Sequence, residues 1–269
     1  MVSPLLAKAH AQGREIVEVT PERAGWSHVG FRAVRLAAGE SESLDTGTRE
    51  LCLVVLTGTV DVTVDGQTFS KLGVRDSVFA EVPPAAVYVP GGRHVTLRAV
   101  RDAEVALCSA PAGATVRETR VIDPATMTRS VRGKGSNTRH ICDILPHTDP
   151  TAAHLLVVEV VTPAGHSSSY PPHRHDREDL PVETQLEETY YHRLNPPQGF
   201  AFQRVYTDDR SLDESMAVEN HDTVMVPRGY HPCVAPHGYD LYYLNVMAGP
   251  QRHWVFKNDP VHEWMLKGR

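Results

Sequence analysis

The sequence predicts an all-β protein assembled from two copies of one sandwich or small barrel. Three observations predict it. Short runs rich in β-branched and aromatic residues recur at regular spacing along the chain, the signature of sandwiches and barrels. A strong two-residue hairpin signal, Asp65-Gly66, follows the longest of those runs. One phrase also occurs in both halves: Val89-Pro90-Gly91-Gly92-Arg93-His94 and Val226-Pro227-Arg228-Gly229-Tyr230-His231 each end a strand in Val-Pro and reach a histidine through a glycine turn. Such a recurrence marks an internal duplication.

Taken in order, residues 14 to 36 hold alternating runs at Glu15–Val19 and Val29–Leu36 without a long 3.6-residue period, so strands are expected there. Glu50 to Val64 is a long strand run, and Gln67-Thr68-Phe69 returns after the hairpin turn. Asp76–Phe79, Ala86–Pro90 and His94–Leu97 follow as short strands, the last two separated by the Gly91-Gly92 turn. From Asp123 to Asn137 the pattern loosens, with a proline, two glycines and the basic Arg129, Arg132 and Lys134. This stretch is the expected connection between halves, and at its length a connection is often packed or functional. The expected division is therefore 1–122 for the first barrel, 123–138 for the connection and 139–269 for the second barrel. In that second half His154–Val161 reads as a strand, Pro163-Ala164-Gly165 as a turn, and Phe200–Thr207, Thr223–Val226 and Tyr239–Met247 as further strands.

At 269 residues the chain is long enough to bury a proper core. Its charged fraction of 22% and net charge of −6 leave no electrostatic footprint for nucleic acid or an anionic membrane. A small anionic substrate needs only local positive charge. The first residues, Met1 to Lys8, lack the basic segment and apolar core of a secretory signal, and no run approaches the ~20 apolar residues of a membrane span. A cytoplasmic location is expected. Cys52, Cys108, Cys142 and Cys233 are scattered without CxxC spacing and are expected as small buried hydrophobes in a reducing compartment.

Chemistry concentrates in Tyr170-Pro171-Pro172-His173-Arg174-His175-Asp176. Two histidines one residue apart put both imidazoles on one face of a strand. Glu188, in a second β-rich run, and His231, after a third, can converge on the same point. Three imidazole nitrogens and a carboxylate suit a divalent transition metal with positions left open to water or substrate. Zinc is the first expectation; manganese, iron and nickel also accept such donors. The first half has Glu50 and His94, but no histidine between Ser41 and Arg49, so packing, assembly or a wall of the pocket is the role expected of it.

These phrases resemble the two consensus motifs of the cupin superfamily. Within it, Ser168–Asp176, Glu187–His192, Gly199–Thr207, Gly229-Tyr230-His231-Pro232, Tyr242–Gly249 and Asp259-Pro260-x-His262-Glu263-Trp264 are similar to the 5-deoxy-glucuronate isomerase family of bacterial inositol catabolism. The match is specific over the second half and diffuse over the first. It implies a bicupin, two tandem double-stranded β-helix barrels of jelly-roll type, that converts the aldehyde 5-deoxy-D-glucuronate into the ketose 5-dehydro-2-deoxy-D-gluconate. Two departures stand out: the loop before Ser168 reads Gly165-His166-Ser167 where the family has Gly-Asn-Trp, and Arg177 to Leu186 must loop out between His175 and Glu188. Strand parity and the Glu-x-Tyr phrase favour Glu188 over Glu187 as the ligand.

The implied reaction moves a proton between adjacent carbons, with the metal as Lewis acid on the C1 and C2 oxygens. His192, Tyr190, Tyr206 and Tyr243 are the candidates for proton transfer or for binding substrate oxygens, although aromatic side chains on barrel strands also serve as core. Arg204 is the candidate partner of the substrate carboxylate; Gln203, beside it, faces the opposite way. Arg174 should point away from the ligands, and Asp176 is a candidate acceptor for a ligand imidazole. The rival readings are a cupin-type metal-dependent dioxygenase and a non-catalytic bicupin that binds sugar acids. A small-molecule sugar acid is the expected partner, no nucleic acid or membrane is, and a homo-oligomer is compatible.

Overall fold

A computed structural model describes residues 2–267; Met1, Gly268 and Arg269, the outermost residues of the two expected domains, lie outside the described residues. The chain begins with strands β1 (Leu6–Ala7) and β2 (Glu15–Val19), a short helix (Pro21–Ala24), β3 (Gly30–Leu36), β4 (Ser41–Asp45) and the long β5 (Arg49–Val64). Next come β6 (Gln67–Leu72), β7 (Ala85–Val89), the long β8 (His94–Pro111) and β9 (Arg120–Ile122). The two long strands explain how one sheet closes into a barrel. They pair along their whole length, but β5 exchanges its partner from β7 to β6 and β8 from β3 to β4 on either side of register shifts between Val55 and Val60. Bulges of this kind bend and twist a strand, here folding each long strand through both layers.

The second half contains β10 (Thr128–Arg132), β11 (Arg139–Leu145), β12 (Leu156–Thr162), β13 (Ser167–Ser168), β14 (His173–Arg174), β15 (Asp176–Asp179) and β16 (Glu183–Gln185). It continues with β17 (Glu187–Asn195), β18 (Phe200–Tyr206), β19 (Asp213–Glu219), β20 (Thr223–Val226), β21 (Cys233–Val234), β22 (Asp240–Ala248) and β23 (Lys257–Asn258). A sheet ordered β1-β20-β17-β22-β12-β11-β10 faces one ordered β13-β21-β18-β19. The registers superimpose the halves: Glu50 opposes Ala110 and Leu51 opposes Val89, just as Glu187 opposes Ala248 and Glu188 opposes Val226. The duplication is therefore β5 onto β17, β7 onto β20 and β8 onto β22.

Three hydrophobic cores result. The first barrel is filled by aliphatic side chains such as Val34, Leu53, Val62, Val87, Leu97 and Val105. A second cluster, including Val158, Tyr190, Val205 and Tyr243, fills the second barrel around a polar centre. The third lies between barrels, where Phe31, Cys52, Tyr88 and Cys108 meet Ile144, Tyr191, Tyr242 and Val246. All four cysteines are free and buried.

Three features differ from the sequence reading. Leu6 and Ala7 pair with Val224 and Thr223, so the first residues complete the sheet of the second barrel. The expected connection contains β10, which pairs with β11 and extends that same sheet. Asp76–Phe79 forms no strand; it is a loop whose Val78 plugs the core between the barrels. Its apolar residues reflect that docking rather than a ladder. Among the described residues, no helix is long and apolar enough to cross a membrane.

Candidate metal and substrate site

His173, His175 and His231 bring their ring nitrogens within 4.8 Å of one another. Glu188 Oε2 joins them, 3.1 Å from His175 Nε2 and 3.2 Å from His231 Nε2. The backbone explains the convergence. Segment 176–185, which lengthens the spacing between His175 and Glu188, folds out as the β15–β16 hairpin. His231 is aimed by Gly229, whose φ of +88° and close approach to Tyr206 O exclude a side chain.

The donor set fits a metal ion. His175 Nδ1 donates to Leu186 O at 3.1 Å and His231 Nδ1 donates to Gly229 O at 2.8 Å. Each bond leaves a lone pair on Nε2. Those lone pairs face a carboxylate oxygen, so acceptor meets acceptor inside the barrel, an arrangement that a cation would relieve. His231 Nε2 indeed has no hydrogen-bond partner among the described residues. Burial, together with the neighbouring His231 and His175, holds the His173 pKa well below its ordinary value, so its ring is neutral and free to ligate.

Beside the cluster opens a cavity of about 290 Å³. Tyr190 and Tyr243 line it, with Tyr243 Oη 2.5 Å from Ser168 Oγ and Tyr190 Oη 3.3 Å from Ser169 Oγ. Burial pushes both phenols above their ordinary pKa, with the Glu188 charge adding to the effect on Tyr190. Arg132 and Arg139 also face the cavity; Arg139 Nη1 donates to Asn137 O and Oδ1, and neither arginine has a carboxylate partner among the described residues. Burial lowers the Arg139 pKa, as expected of a cation without a counter-ion. Asn245 Nδ2 and Trp254 Nε1, on the same walls, are buried donors with no acceptor among the described residues.

Several sequence expectations need correction. Arg204 points outward and forms a two-bond pair with Asp213 at 2.7 Å. Its neighbour Gln203 faces inward, where its Oε1 meets His192 Nε2 at 2.9 Å. His192 is thus sealed behind Tyr190 and does not line the cavity; burial drops its pKa to about 4. Tyr206 shares the outward parity of Arg204 and donates to Asp259. Asp176 accepts from the Gly229 amide rather than from an imidazole, so backbone carbonyls orient the ligand rings instead. Arg174 does point away, held by Glu183 and Asp208. Glu187, adjacent to the cluster in sequence, accepts from the backbone N–H groups of Ser27, His28 and Val29 in the first barrel.

Sequence reasoning missed Arg139, Arg132, Asn245 and Trp254. A signal existed for Asn245, the polar member of the otherwise apolar Leu244–Val246 triplet. The first barrel has no counterpart of the cluster among the described residues. There Leu51 stands at the register position of Glu188, and His94 is exposed beside Asp45. A cavity of about 340 Å³ beside Arg49 and Leu51 has the carboxylates of Glu18, Glu22, Asp45 and Glu50 on its walls, but among the described residues they do not converge into a metal-ligating cluster.

A family model described as the KduI/IolB family matches residues 5–265. The 5-deoxy-glucuronate isomerase of Geobacillus kaustophilus is 48% identical over 270 residues, covering all of this chain and 97% of that protein. A crystal structure of an IolB-like protein from Salmonella typhimurium LT2 superposes with a TM-score of 0.95 at 48% identity, covering 97% of this chain and 99% of that one. The oxalate decarboxylase of Lactobacillus farciminis, in its formate complex, gives a TM-score of 0.65 at 13% identity over all of this chain and 92% of its own. That last likeness is one of fold alone.

Proposed function

The chain belongs to the KduI/IolB family, and from that premise we propose that its second barrel is the active site of a metal-dependent 5-deoxy-glucuronate isomerase. The enzyme interconverts an aldose and a ketose, 5-deoxy-D-glucuronate and 5-dehydro-2-deoxy-D-gluconate. The observation that carries the reading is the meeting of His173, His175, His231 and Glu188 beside a cavity that also holds Arg139, which has no carboxylate partner among the described residues. These four side chains would hold one divalent ion, zinc first and manganese, iron or nickel as the other candidates. When bound, the ion supplies Lewis acidity to the C1 carbonyl and C2 hydroxyl oxygens.

In the reaction a proton leaves C2 and one arrives at C1, while the O2 hydroxyl proton passes to O1. Negative charge develops on those oxygens, and the Tyr190 and Tyr243 phenols, protonated at neutral pH, are placed to donate to it. Arg139, in the part we assign it, pairs with the substrate carboxylate. Asn245 and Trp254 give their unused N–H groups to the hydroxyls between. Phe256 and Leu266 at the cavity wall limit water. The four unpaired buried cysteines support a reducing, cytoplasmic setting.

The test is proton NMR of 5-deoxy-D-glucuronate with metal-replete protein, before and after chelation. Turnover abolished by chelation and restored by one divalent ion is expected. Turnover that survives complete metal removal would overturn the metal's role, and oxygen uptake without isomerisation would favour a dioxygenase.

A further inference from the structure

The three ligand imidazoles are not held alike. Backbone carbonyls fix the rings of His175 and His231. Among the described residues the His173 ring has ring contacts and no hydrogen bond: its centroid lies 4.6 Å from that of Phe256 and 4.8 Å from that of His231. The backbone of His173 is placed from the Phe256 side as well. Its strand, β14, has β23 as its one strand partner among the described residues, with Asn258 opposite His173. The position of this ligand is therefore set by residues 255–259.

That stretch is anchored at both ends. At one end the Thr184 amide donates to Val255 O at 3.0 Å, and the Val255 amide donates to the Thr184 hydroxyl at 3.2 Å. At the other end the Asp259 amide donates to Pro172 O at 2.8 Å, next to His173. The Asp259 carboxylate is held in turn: the Tyr206 hydroxyl donates to Oδ2 at 2.8 Å, and Oδ1 accepts from the Val261 amide at 3.0 Å. Tyr206 and Asp259 are both buried, where a hydrogen bond to a charged group is strong. Tyr206 also reaches a second ligand. Its amide and carbonyl pair with those of Tyr230, at 2.9 and 2.8 Å, immediately before His231. One residue thus ties the His231 turn, through its backbone, to the His173 strand, through its phenol. Resting on the metal-site reading above, we propose that Tyr206 and Asp259 are positioning residues: their hydrogen bond locks β23 onto β14 and so holds His173 in place against His231 for the ion. Groups that orient metal ligands are worth roughly 10–100-fold in metal affinity, and the lower end of that range is expected of a bond one strand removed from the ligand.

The experiment loads the full chain with cobalt(II) and titrates it with a chelator, following the visible ligand-field bands of the bound ion. Wild type, Tyr206→Phe, Asp259→Asn and His173→Ala are compared, each checked for folding by circular dichroism. Tyr206→Phe keeps the ring and the backbone pairing with Tyr230 and removes only the hydroxyl. Asp259→Asn keeps the shape and removes the charge. Both are expected to hold cobalt(II) about tenfold more weakly than wild type and to shift its bands toward those of His173→Ala. Asp213→Asn, which breaks the outward pair with Arg204 on the same sheet, is the control and should keep wild-type affinity and bands. Wild-type affinity and bands in folded Tyr206→Phe and Asp259→Asn would overturn this inference alone, even if their melting temperatures fall. An equal loss of affinity in Asp213→Asn would also overturn it, since any loosening of the sheet would then suffice. A wild type that takes up no cobalt(II), or a His173→Ala variant that holds it as tightly, would instead overturn the metal-site reading beneath it.

Discussion

Glu187 and Glu188 are neighbours on β17 with opposite assignments, because successive strand side chains face opposite ways. Glu188 looks into the second barrel at two imidazoles, whereas Glu187 looks out and accepts three backbone N–H groups from the first barrel. Metal analysis of purified variants separates them: Glu188→Gln and His231→Ala should lose most of their metal, and Glu187→Gln should retain it. Retention by Glu188→Gln would place the ligand elsewhere. Arg139 offers a second residue-scale test. If it pairs with the substrate carboxylate, Arg139→Met removes a charge-assisted interaction worth about 1.5–3 kcal/mol and should raise KM at least tenfold with a smaller change in kcat. An unchanged KM would remove it from the site.

At the scale of elements, the two halves grip each other through equivalent strands. Glu50 on β5 accepts from the N–H groups of Ala153, His154 and Leu155 and from Tyr88 Oη. Glu187 on β17 returns the contact to residues 27–29. Each glutamate ties down a loop that leads into a strand of the partner barrel, Glu50 the loop before β12 and Glu187 the loop before β3. Glu50→Gln weakens several charge-assisted bonds at once and should cost about 2 kcal/mol of stability in urea unfolding, while the metal content stays at the wild-type level. The connecting segment also acts as an element: its β10 strand and the following turn place Arg132 and Arg139 over the cavity. A segment whose composition reads as a linker thus supplies one of the two cavity arginines, Arg132, while Arg139 opens β11 directly after it.

For the whole molecule, the interface between barrels holds charges as well as apolar side chains. Arg75 donates to both Glu159 oxygens at 2.8 and 2.9 Å, and Tyr242 donates to the same carboxylate. Removing one partner of a buried pair strands the other charge, so Arg75→Met should destabilise by about 3 kcal/mol. His221 sits at the same interface, where its Nδ1 and Glu104 both meet Tyr191 Oη and Arg193 lies nearby. Burial lowers its pKa to about 4, with the Glu104 charge opposing and the Arg193 charge adding to that drop. The unfolded chain, with histidine near 6.5, then binds the proton first. This contribution to stability is complete above about pH 6.5 and is lost as pH falls toward 4. His221→Gln should therefore lose less stability than wild type between pH 7.5 and 5; equal losses would show that folding leaves the His221 pKa unshifted.

The sequence by itself determined the all-β class, the duplication and the candidate ligands His173, His175 and His231, because strand period, turn chemistry and the spacing of a chelating pair are local properties of a chain. It also placed Glu188 beside Tyr190 on one face by parity alone. Only the tertiary structure decided which polar residues meet. Arg139 and Asn245 lie more than 100 residues apart, and they share a cavity because β12 stands between their strands. Arg204 shows the same limit from the other side: parity established that it and Gln203 face opposite ways, but which of them faces in depends on where β21 and β19 pack against β18. The docking of Leu6–Ala7 onto the second barrel likewise leaves no local trace, since a two-residue strand is specified by its partner rather than by itself.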